Sequence, residues 1–281
     1  MSFSDVYNNK IKNIDLYIEN YLDSLNGVEP MLSESLKYSV LNGGKRLRSI
    51  LCTEICTLFG KDMSVAMPFA AAIEFIHAYS LVHDDLPCMD NADTRRGMPS
   101  CHIKYGEGNA VLAGDALLNL AYEIMCEQCI DGNINKVKAM KTIANCSGVY
   151  GMVNGQAIDL KLPQCDNVTE SQLVRLIEQK TMALIRASII SGAILAQCSE
   201  DEMKLLEEYA YNLGLAFQIR DDFEDEEEDL EDANDCPNFL NILGREKAKQ
   251  KLDFHADRAY KIISAFDEGS FLCDFHKKLF N

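Results

Sequence analysis

Two short clusters of aspartate residues have the composition of a metal-binding site. The first is Asp84-Asp85-Leu-Pro-Cys-Met-Asp90, and the second, far along the chain, is Asp221-Asp222-Phe-Glu-Asp225. Carboxylate oxygens are ligands that Mg²⁺ takes, with water and substrate phosphate completing its coordination shell. Either cluster alone is better explained as the solvated acidic end of a helix. Because both follow an apolar helical segment, together they predict a magnesium site.

The spacing within each cluster indicates how its carboxylates are arranged. Asp221 and Asp225 are four residues apart, so they share one face of a helix. Asp84 and Asp90 are six residues apart and would not share a face of a straight helix. Pro87 lies between them and ends or distorts the helix there. We therefore expect the first cluster to extend from a helix end into a loop.

Basic residues near these clusters indicate what the metal would bind. Gly43-Gly44-Lys45-Arg46-Leu47-Arg48 places a flexible turn before three cations at a predicted helix start, which suits a phosphate cradle. Its spacing is not that of a Walker loop. Arg95-Arg96-Gly97 follows the first cluster, and Lys180-Thr181 lies within a later predicted helix. Each cation alone is an ordinary surface charge, but with the carboxylates they predict a metal–diphosphate site.

The elements that would position these residues are predicted to be helices. Apolar residues recur at intervals of three and four, which predicts helices over about 3–25, 30–42, 46–59, 65–84, 109–130, 134–155 and 245–266. Two more begin at the capping boxes Thr169-x-x-Gln172 and Ser199-x-x-Glu202. We find no alternating strand, repeat or long linker, and the tail past Phe266 is too weakly patterned to place. The prediction is one all-α domain, residues 1–281.

Composition limits the classes of partner. The 281 residues include 27 Lys+Arg and 44 Asp+Glu, a formal charge of −17, with eleven acidic residues between Asp221 and Asp235. This balance argues against nucleic acid or anionic membrane as a partner. The chain starts without an apolar export signal, and no apolar run approaches the ~18 residues of a transmembrane helix. Eleven cysteines scattered through helical patterns indicate a reduced protein, so we expect a cytoplasmic location.

Several motifs in the same order resemble those of the trans-isoprenyl diphosphate synthases, in particular the bacterial farnesyl diphosphate synthases. The similarity runs from about residue 25 to residue 230. It is carried by the Gly43–Arg48 segment, the run from Ile76 to Asp90, Arg95-Arg96-Gly97, Ala113-Gly-Asp-Ala-Leu117, Gly155-Gln156-x-x-Asp159, Lys180-Thr181 and Phe217-Gln218-x-x-Asp221-Asp222-x-x-Asp225. So many motifs in order make the resemblance highly specific.

The resemblance implies a bundle of antiparallel helices around a deep central cavity, in a homodimer. It implies an enzyme that condenses isopentenyl diphosphate head-to-tail with dimethylallyl or geranyl diphosphate to give farnesyl diphosphate, with three Mg²⁺ ions per site. The metal ligands would be Asp84, Asp85, Asp90, Asp221, Asp222 and Asp225. The allylic diphosphate would be held by Arg95 and Lys180, and that of isopentenyl diphosphate by Lys45, Arg48, His77 and Arg96. Thr181 and Gln218 would line the reacting region, and the expected catalytic residues are Asp84, Asp85, Asp90, Arg95, Lys180 and Asp221.

Two aromatic residues are candidates for the control of product length. Tyr79 lies five residues before Asp84, and Phe75 lies four residues before Tyr79, so both occupy one stripe of a helix that leads away from the metals. In the family that the chain resembles, an aromatic at this place acts as a floor that limits the product to C15. The alternative interpretation is that both rings are ordinary core residues.

The resemblance fades after Asp225. The family's pattern places a lysine where this chain has Cys236, and no Lys or Arg occurs between Arg220 and Arg245. A charge-assisted hydrogen bond contributes roughly 1.5–3 kcal/mol, so its loss predicts activity about tenfold to a hundredfold lower. Arg245 and Lys247 are candidate substitutes.

Other classes of protein therefore stay open. The main alternative is a catalytically weakened paralogue that binds diphosphates or acts as a regulatory subunit. A terpene cyclase fits less well, because the basic Gly43–Arg48 segment and His77 would have no isopentenyl diphosphate to bind. An acidic Ca²⁺-binding helical protein is the remaining alternative, although no EF-hand loop is present.

Overall fold

Helices make up most of residues 2–161, 168–228 and 237–280, the parts of the chain that the computed structural model describes. In chain order they are α1 Phe3–Asp23, α2 Pro30–Leu41, α3 Leu47–Leu58, α4 Met63–Asp84, α5 Cys101–Tyr105, α6 Glu107–Cys129, α7 Ile134–Ser147, α8 Met152–Asp159, α9 Glu170–Ile177, α10 Ala183–Ala196, α11 Glu200–Glu228, α12 Phe239–Leu243, α13 Arg245–Phe266 and α14 Phe271–Phe280. A π-helical turn, Glu178–Met182, joins α9 to α10, and a hairpin pairs β1 Thr94–Arg95 with β2 Met98–Pro99. The predicted all-α class is confirmed.

Helices α3, α4 and α10 form the centre of the molecule, and most of their residues are buried. Helix α10 packs closely on α3, because a Cβ on Gly192 would overlap the carbonyl oxygen of Cys52. A short turn joins α3 to α4, so the two helices run in opposite directions. The start of α3 and the middle of α4 are therefore neighbours, which brings the basic segment close to the helix that ends in the first acidic cluster.

Helix α4 corrects one expectation from the sequence. It is long and apolar enough to cross a membrane by length and composition, whereas no such run was expected. Within the most apolar 18-residue window of this helix, 78% of the residues are buried inside the protein. A helix that is apolar all round is typical of the core of a large domain as well as of a membrane span. We therefore interpret α4 as a core helix.

The predicted helix starts agree with the structure where a side chain caps them. The Thr169 hydroxyl accepts from the backbone N–H of Gln172, and the Gln172 side chain accepts from the Thr169 N–H. The Ser199 N–H likewise donates to Glu202 Oε2 at 2.6 Å. These boxes satisfy N–H groups that have no partner inside the helix. The predicted last long helix, 245–266, is α13 as observed.

Three local predictions differ from the structure. The single helix expected over 134–155 is two helices, because the chain turns sharply at Gly151, where a Cβ would overlap the Cys146 carbonyl. The β1–β2 hairpin was not expected, and its turn requires positive φ angles at Arg96 (56°) and Gly97 (74°). The weakly patterned tail forms α14, which packs Phe275 into the core.

Candidate active site

The first feature of the site is a cavity of about 670 Å³ at the start of α3, which we call the cationic cavity. Its polar lining is predominantly basic. The residues that line it include Gly43, Gly44, Lys45, Arg46, Arg48, Glu74, His77, Arg96 and Phe217. All four residues predicted to bind the diphosphate of isopentenyl diphosphate are among them. A cavity of this charge suits a multiply charged anion.

Arg48 and His77 lie together on adjacent faces of α3 and α4. Arg48 Nη1 lies 3.5 Å from His77 Nε2, and the buried Arg48 Nε has no hydrogen-bond partner in the described part of the chain. Burial lowers the pKa of His77 well below its ordinary value, and the positive charges of Arg48 and Arg96 lower it further. The imidazole is therefore neutral at pH 7, and the positive charge of the pair belongs to Arg48 on the cavity wall.

Arg46 differs from its neighbours in the basic segment. Its side chain is buried, with Nε 2.6 Å from Asp15 Oδ1, Nη2 donating to the Val40 carbonyl at 2.7 Å and Nη1 3.4 Å from Glu74 Oε2. The residue has a positive φ of 46°, which turns its side chain into the protein. The sequence predicted three cations for the phosphate cradle, but the guanidinium of Arg46 is already bonded within the protein.

The glycine pair before Lys45 makes room for Arg96. The Arg96 guanidinium lies 3.1 Å from the position that a Cβ on Gly44 would occupy, and Nη1 donates to the Gly43 carbonyl at 2.6 Å. Gly44 has a φ of 124°, which other residues rarely adopt. Lys45 is exposed, and its Nζ lies 3.8 Å from Glu224 on α11. The basic turn thus contacts both the hairpin and the helix of the second acidic cluster.

A second cavity of about 420 Å³ continues from the first, since Arg48 and His77 line both. We call it the apolar cavity, because most of its lining surface is apolar. Asp84, Lys180 and Thr181 lie on it, as do the apolar side chains of Tyr79, Met89, Met152, Val153, Leu160 and Leu184. The arrangement suits a ligand with a charged head and a hydrocarbon tail.

Asp84 is the last residue of α4, and the chain behind it folds back as expected. The Asp90 N–H donates to the Asp84 carbonyl at 2.9 Å. Burial raises the pKa of the Asp84 carboxyl to about 6; Lys180 and Arg95 oppose the shift, and Asp90 and Asp159 add to it. Desolvated carboxylates that repel one another beside a lysine are a suitable setting for a divalent cation.

Asp85 has a different environment from Asp84. It is buried, and Arg95 Nε on β1 donates to its Oδ1 at 3.0 Å. The pair joins the end of α4 to the hairpin, so Asp85 orients the arginine that was predicted to hold the allylic diphosphate. The hydrogen bond that Arg95 donates to Asp85 raises the pKa of Arg95, although partial burial lowers it.

Lys180 and Thr181 lie in the π-helical turn, whereas the sequence predicted a regular helix. Lys180 Nζ lies 2.5 Å from Asp159 Oδ2 at the end of α8. A Cβ on Gly155 would overlap the backbone at Gln179 and Lys180, so the glycine allows α8 to pack directly on the turn. The roles of Gly155 and Asp159 were missed, although their motif was noticed. The signal was a glycine and a carboxylate one helical turn apart.

Substituting Gly155 with alanine is expected to separate α8 from the π-helical turn. The added methyl group overlaps backbone atoms, which cannot move as a side chain can. We expect the free energy of unfolding to fall by about 1–3 kcal/mol and kcat/KM to fall with it. Thermal unfolding and steady-state kinetics test this, with Gly108→Ala on α6 as the control, since nothing lies near that position. Unchanged stability and kinetics of the Gly155 variant would contradict the packing argument.

The second acidic cluster lies on α11. Asp221 accepts from Arg220 Nη2 at 2.7 Å, and burial raises its pKa. Asp222 accepts from Gln218 Nε2 at 3.0 Å and from the N–H of Phe239 at 2.8 Å, and burial raises its pKa to about 6. Asp222 therefore ties α11 to the start of α12. Gln218, predicted to line the reacting region, is bonded to Asp222 in this structure.

Asp84 lines the apolar cavity, and the second acidic cluster is related to the cavities through Arg48 and Phe217. Arg48 lines the apolar cavity with Asp84 and also lies within electrostatic reach of Asp221. Phe217, one turn before Asp221 on α11, lines the cationic cavity. Within the described ranges, no three carboxylate, imidazole or thiol groups converge closely enough to hold a metal ion by themselves. A metal here would therefore depend on ligand oxygens as well as on protein carboxylates.

Cys236, where the lysine was expected, lies outside the described residues. Of the two suggested substitutes, Arg245 pairs with Glu226 and its guanidinium lies 5.1 Å from the ring centroid of Phe223. Phe223 and Glu226 are on the side of α11 opposite Asp221 and Asp225. Arg245 therefore lies away from Asp221 and Asp225, and Lys247 is exposed two residues beyond it.

Tyr79 and Phe75 lie on one stripe of α4, as predicted. The Tyr79 ring lines the apolar cavity and meets the His83 ring edge-on, with centroids 5.8 Å apart. Phe75 is fully buried one turn further from Asp84 and packs against Tyr21, with centroids 5.8 Å apart. Gly114 leaves the space that the His83 ring occupies. Tyr79 thus lies on the cavity wall between Asp84 and Phe75 along α4.

Comparisons with known proteins agree with this geometry. The family model for polyprenyl synthetase matches residues 29–235. A farnesyl diphosphate synthase of Bacillus subtilis is 35% identical over 263 residues, 90% of this chain and 88% of that protein. Geranylgeranyl pyrophosphate synthase 3 of Arabidopsis thaliana is 38% identical over 253 residues, 85% of this chain and 70% of that protein.

A solved structure extends the similarity to the whole fold. The FPP/GFPP synthase of Zymomonas mobilis superposes with a TM-score of 0.91 and is 35% identical, over 99% of both chains. All three relatives are synthases, so they give no support to the alternative of a catalytically weakened, regulatory paralogue. The family match, the identities and the fold together identify the chain as a member of the polyprenyl synthetase family, the trans-prenyltransferases.

Proposed function

We propose that the protein condenses isopentenyl diphosphate with dimethylallyl and geranyl diphosphates to give farnesyl diphosphate, with Mg²⁺. One observation carries the proposal: a cationic cavity and an apolar cavity meet at Arg48 and His77. The cationic cavity suits the diphosphate of the five-carbon substrate. The apolar cavity, with Asp84 and Lys180 on its wall, suits an allylic diphosphate whose hydrocarbon tail extends towards Tyr79.

The donor set fits a divalent metal. Asp84 is desolvated and lies within electrostatic reach of Asp90, and Asp221 is half-buried within electrostatic reach of Arg48, which lines both cavities. The carboxylates proposed to hold three Mg²⁺ ions are Asp84, Asp85, Asp90, Asp221, Asp222 and Asp225. When bound, Mg²⁺ supplies positive charge that stabilises the departing diphosphate. Asp85 accepts from Arg95, and Asp222 accepts from Gln218 and from the N–H of Phe239, so these two carboxylates would also orient their neighbours.

The protein's own residues bind, orient and exclude water. Lys180 and Arg95 hold the allylic diphosphate while its bond to carbon breaks and the electron pair stays on oxygen. Arg48, His77, Lys45 and Arg96 hold the second substrate so that its alkene electrons form the new carbon–carbon bond. The released diphosphate then takes the proton lost from the adjacent carbon. Apolar walls exclude water, which would otherwise trap the allylic cation as an alcohol.

A product assay tests this function. Purified protein is incubated with Mg²⁺, labelled isopentenyl diphosphate and either dimethylallyl or geranyl diphosphate, and the prenyl products are dephosphorylated and separated. We expect a C15 product that disappears when the metal is chelated. No product from either primer, in folded protein, would contradict the proposal and favour the weakened paralogue.

The same preparation gives the oligomeric state by sedimentation, for which we predict a homodimer. A cytoplasmic location also remains a prediction.

Arg46 and Arg48, two positions apart in the basic segment, provide a matched pair of variants. Arg48→Gln is expected to raise KM for isopentenyl diphosphate about tenfold to a hundredfold, since a charged hydrogen bond to the diphosphate is lost. Its unfolding temperature should change little, because Arg48 Nε has no partner to lose. Arg46→Gln is instead expected to lower the free energy of unfolding by about 3–5 kcal/mol, since it leaves buried Glu74 without its cation. An unchanged KM in Arg48→Gln would contradict the assignment of the cationic cavity.

A further inference from the structure

Glu74 is a buried carboxylate in the cationic cavity that the proposed reaction does not use. It lies on α4, is 3% exposed, and lines the cavity together with three arginines. A bare negative charge there would repel a diphosphate. Its oxygens must therefore be engaged in a way that offsets this repulsion, and their partners indicate what the residue does.

Helix α3 begins without a cap of its own. Its N-cap residue is Arg46, whose φ of 46° is left-handed and whose side chain makes no capping hydrogen bond. The first N–H groups of a helix have no partner within it and require an acceptor from elsewhere. Serine, threonine, asparagine or aspartate at the cap position normally supplies that acceptor.

Glu74 supplies the missing acceptor from the neighbouring helix. The Ser49 N–H, in the first turn of α3, donates to Glu74 Oε1 at 3.2 Å. The Ser49 hydroxyl donates to the same oxygen. The other oxygen, Oε2, lies 3.4 Å from Nη1 of Arg46, the N-cap residue. One carboxylate therefore holds both residues that flank Leu47 and Arg48.

The position of Arg48 depends on this turn. Its guanidinium contacts His77 at 3.5 Å, a weak interaction, and its Nε is buried without a partner in the described part of the chain. Hydrogen bonds of its own therefore do little to fix the side chain. Its direction follows from the backbone at 46–49, which Glu74 holds on both sides.

We propose that Glu74 is a positioning residue: it caps α3 in trans and so aims the Arg48 guanidinium at the diphosphate of isopentenyl diphosphate. The inference rests on the proposed function. It adds that the cationic cavity contains one carboxylate, Glu74, whose negative charge is compensated by Ser49 and Arg46. The negative charge of Glu74 also acts on Arg48. Burial lowers the pKa of Arg48, and Glu74 raises it.

Two substitutions separate capping from simple charge balance. Glu74→Gln keeps an acceptor oxygen for Ser49 but loses the negative charge, whereas Glu74→Ala loses both. We expect Glu74→Gln to raise KM for isopentenyl diphosphate about twofold to tenfold and Glu74→Ala about tenfold to a hundredfold. KM for the allylic diphosphate should stay within about twofold in both variants, since the cations proposed to hold that diphosphate, Lys180 and Arg95, lie on other elements than α3.

Glu54→Gln is the matched control for a purely structural effect. Glu54 lies on α3, the helix that Glu74 contacts from α4; it is 6% exposed and pairs with Lys10 at 2.6 Å. The substitution also breaks a buried ion pair, so the unfolding temperature should fall as in Glu74→Gln. KM for isopentenyl diphosphate should be unchanged in Glu54→Gln. Ser49→Ala, which removes the hydroxyl but keeps the backbone donor, serves as a milder variant of the cap if Glu74→Ala does not fold.

The possible outcomes are distinct. A wild-type protein that forms no product from either primer overturns the proposed function. An active wild type with equal effects in Glu74→Gln and Glu74→Ala overturns the capping role in favour of charge balance. If the Glu74 variants raise KM for both substrates in parallel, general destabilisation explains the effect and the positioning role is overturned. The same holds if Glu54→Gln raises KM for isopentenyl diphosphate. If Glu74→Ala does not fold, an unchanged KM for isopentenyl diphosphate in both Glu74→Gln and Ser49→Ala overturns it as well.

Discussion

Asp84→Asn is expected to reduce turnover by about 10²- to 10³-fold, the largest effect we predict for a single carboxylate. The substitution keeps the size of the side chain and removes the charge from the last residue of α4. That charge lies on the apolar cavity within electrostatic reach of Lys180, Arg95 and Asp90. Without it, the cation that neutralises the departing diphosphate loses a ligand.

The dependence of the rate on Mg²⁺ distinguishes this loss from a structural one. In the variant, the Mg²⁺ concentration for half-maximal rate should rise, while thermal unfolding should stay close to that of the wild type. In the wild type the same concentration should rise as the pH falls through about 6, the pKa of Asp84 in the metal-free protein, because protons then compete with the metal.

Asp201→Asn provides the control for a change of charge alone. Asp201 is an exposed residue of the first turn of α11 and pairs with Lys204 at the surface. Its substitution should change neither the rate nor the metal dependence. If Asp84→Asn retains wild-type turnover at saturating Mg²⁺, the first acidic cluster is not the metal site.

Tyr79→Ala is expected to lengthen the product beyond C15. The ring lines the apolar cavity, and its removal opens the space towards Phe75 and Tyr21. A longer hydrocarbon tail could then enter before condensation stops. Two of the relatives, whose names include geranylgeranyl and GFPP synthases, indicate that this fold accommodates longer products.

The product profile after dephosphorylation measures the change, with C15, C20 and C25 alcohols resolved. Tyr79→Phe is the matched control, because it keeps the ring and should keep the C15 profile. Truncating a buried aromatic costs about 3–5 kcal/mol of stability, so thermal unfolding must accompany the assay. An unchanged C15 profile from folded Tyr79→Ala would remove Tyr79 as the floor of the cavity.

The sequence was sufficient where a local pattern has one structural solution. Helical periodicity and the capping boxes at Thr169 and Ser199 are local signals, and both helix starts are confirmed. The bend after Asp84 follows from Pro87, whose ring cannot continue the helix. The motifs also gave the family, because their order along the chain is highly specific.

The sequence was insufficient where a residue's role depends on a distant partner. Arg46 and Arg48 are the same residue type two positions apart, yet one is bonded to Asp15 and the other faces a cavity. Arg46 has a positive φ of 46°, and its guanidinium contacts Asp15, Val40 and Glu74, partners that come from three different helices. Asp222 is likewise bonded to the N–H of Phe239, a contact that no spacing rule indicates.

The π-helical turn was hidden for a related reason. It is a change in backbone hydrogen bonding that sequence periodicity over Glu178–Met182 does not reveal. The sequence feature that relates to this turn is Gly155 on α8, whose missing side chain allows α8 to pack directly on the turn. Such turns concentrate at functional sites, and this one carries Lys180 and Thr181.

The wall shared by the two cavities has a thermodynamic consequence. Because Arg48 and His77 border both, a ligand in either cavity changes the field and the space that a ligand in the other meets. Coupling between two binding sites is reciprocal. An unreactive allylic analogue that tightens the binding of isopentenyl diphosphate tenfold, about 1.4 kcal/mol, must itself bind tenfold more tightly in its presence. An inhibitor that competes with one substrate then binds cooperatively with the other substrate. Its potency therefore depends on the concentrations of both substrates.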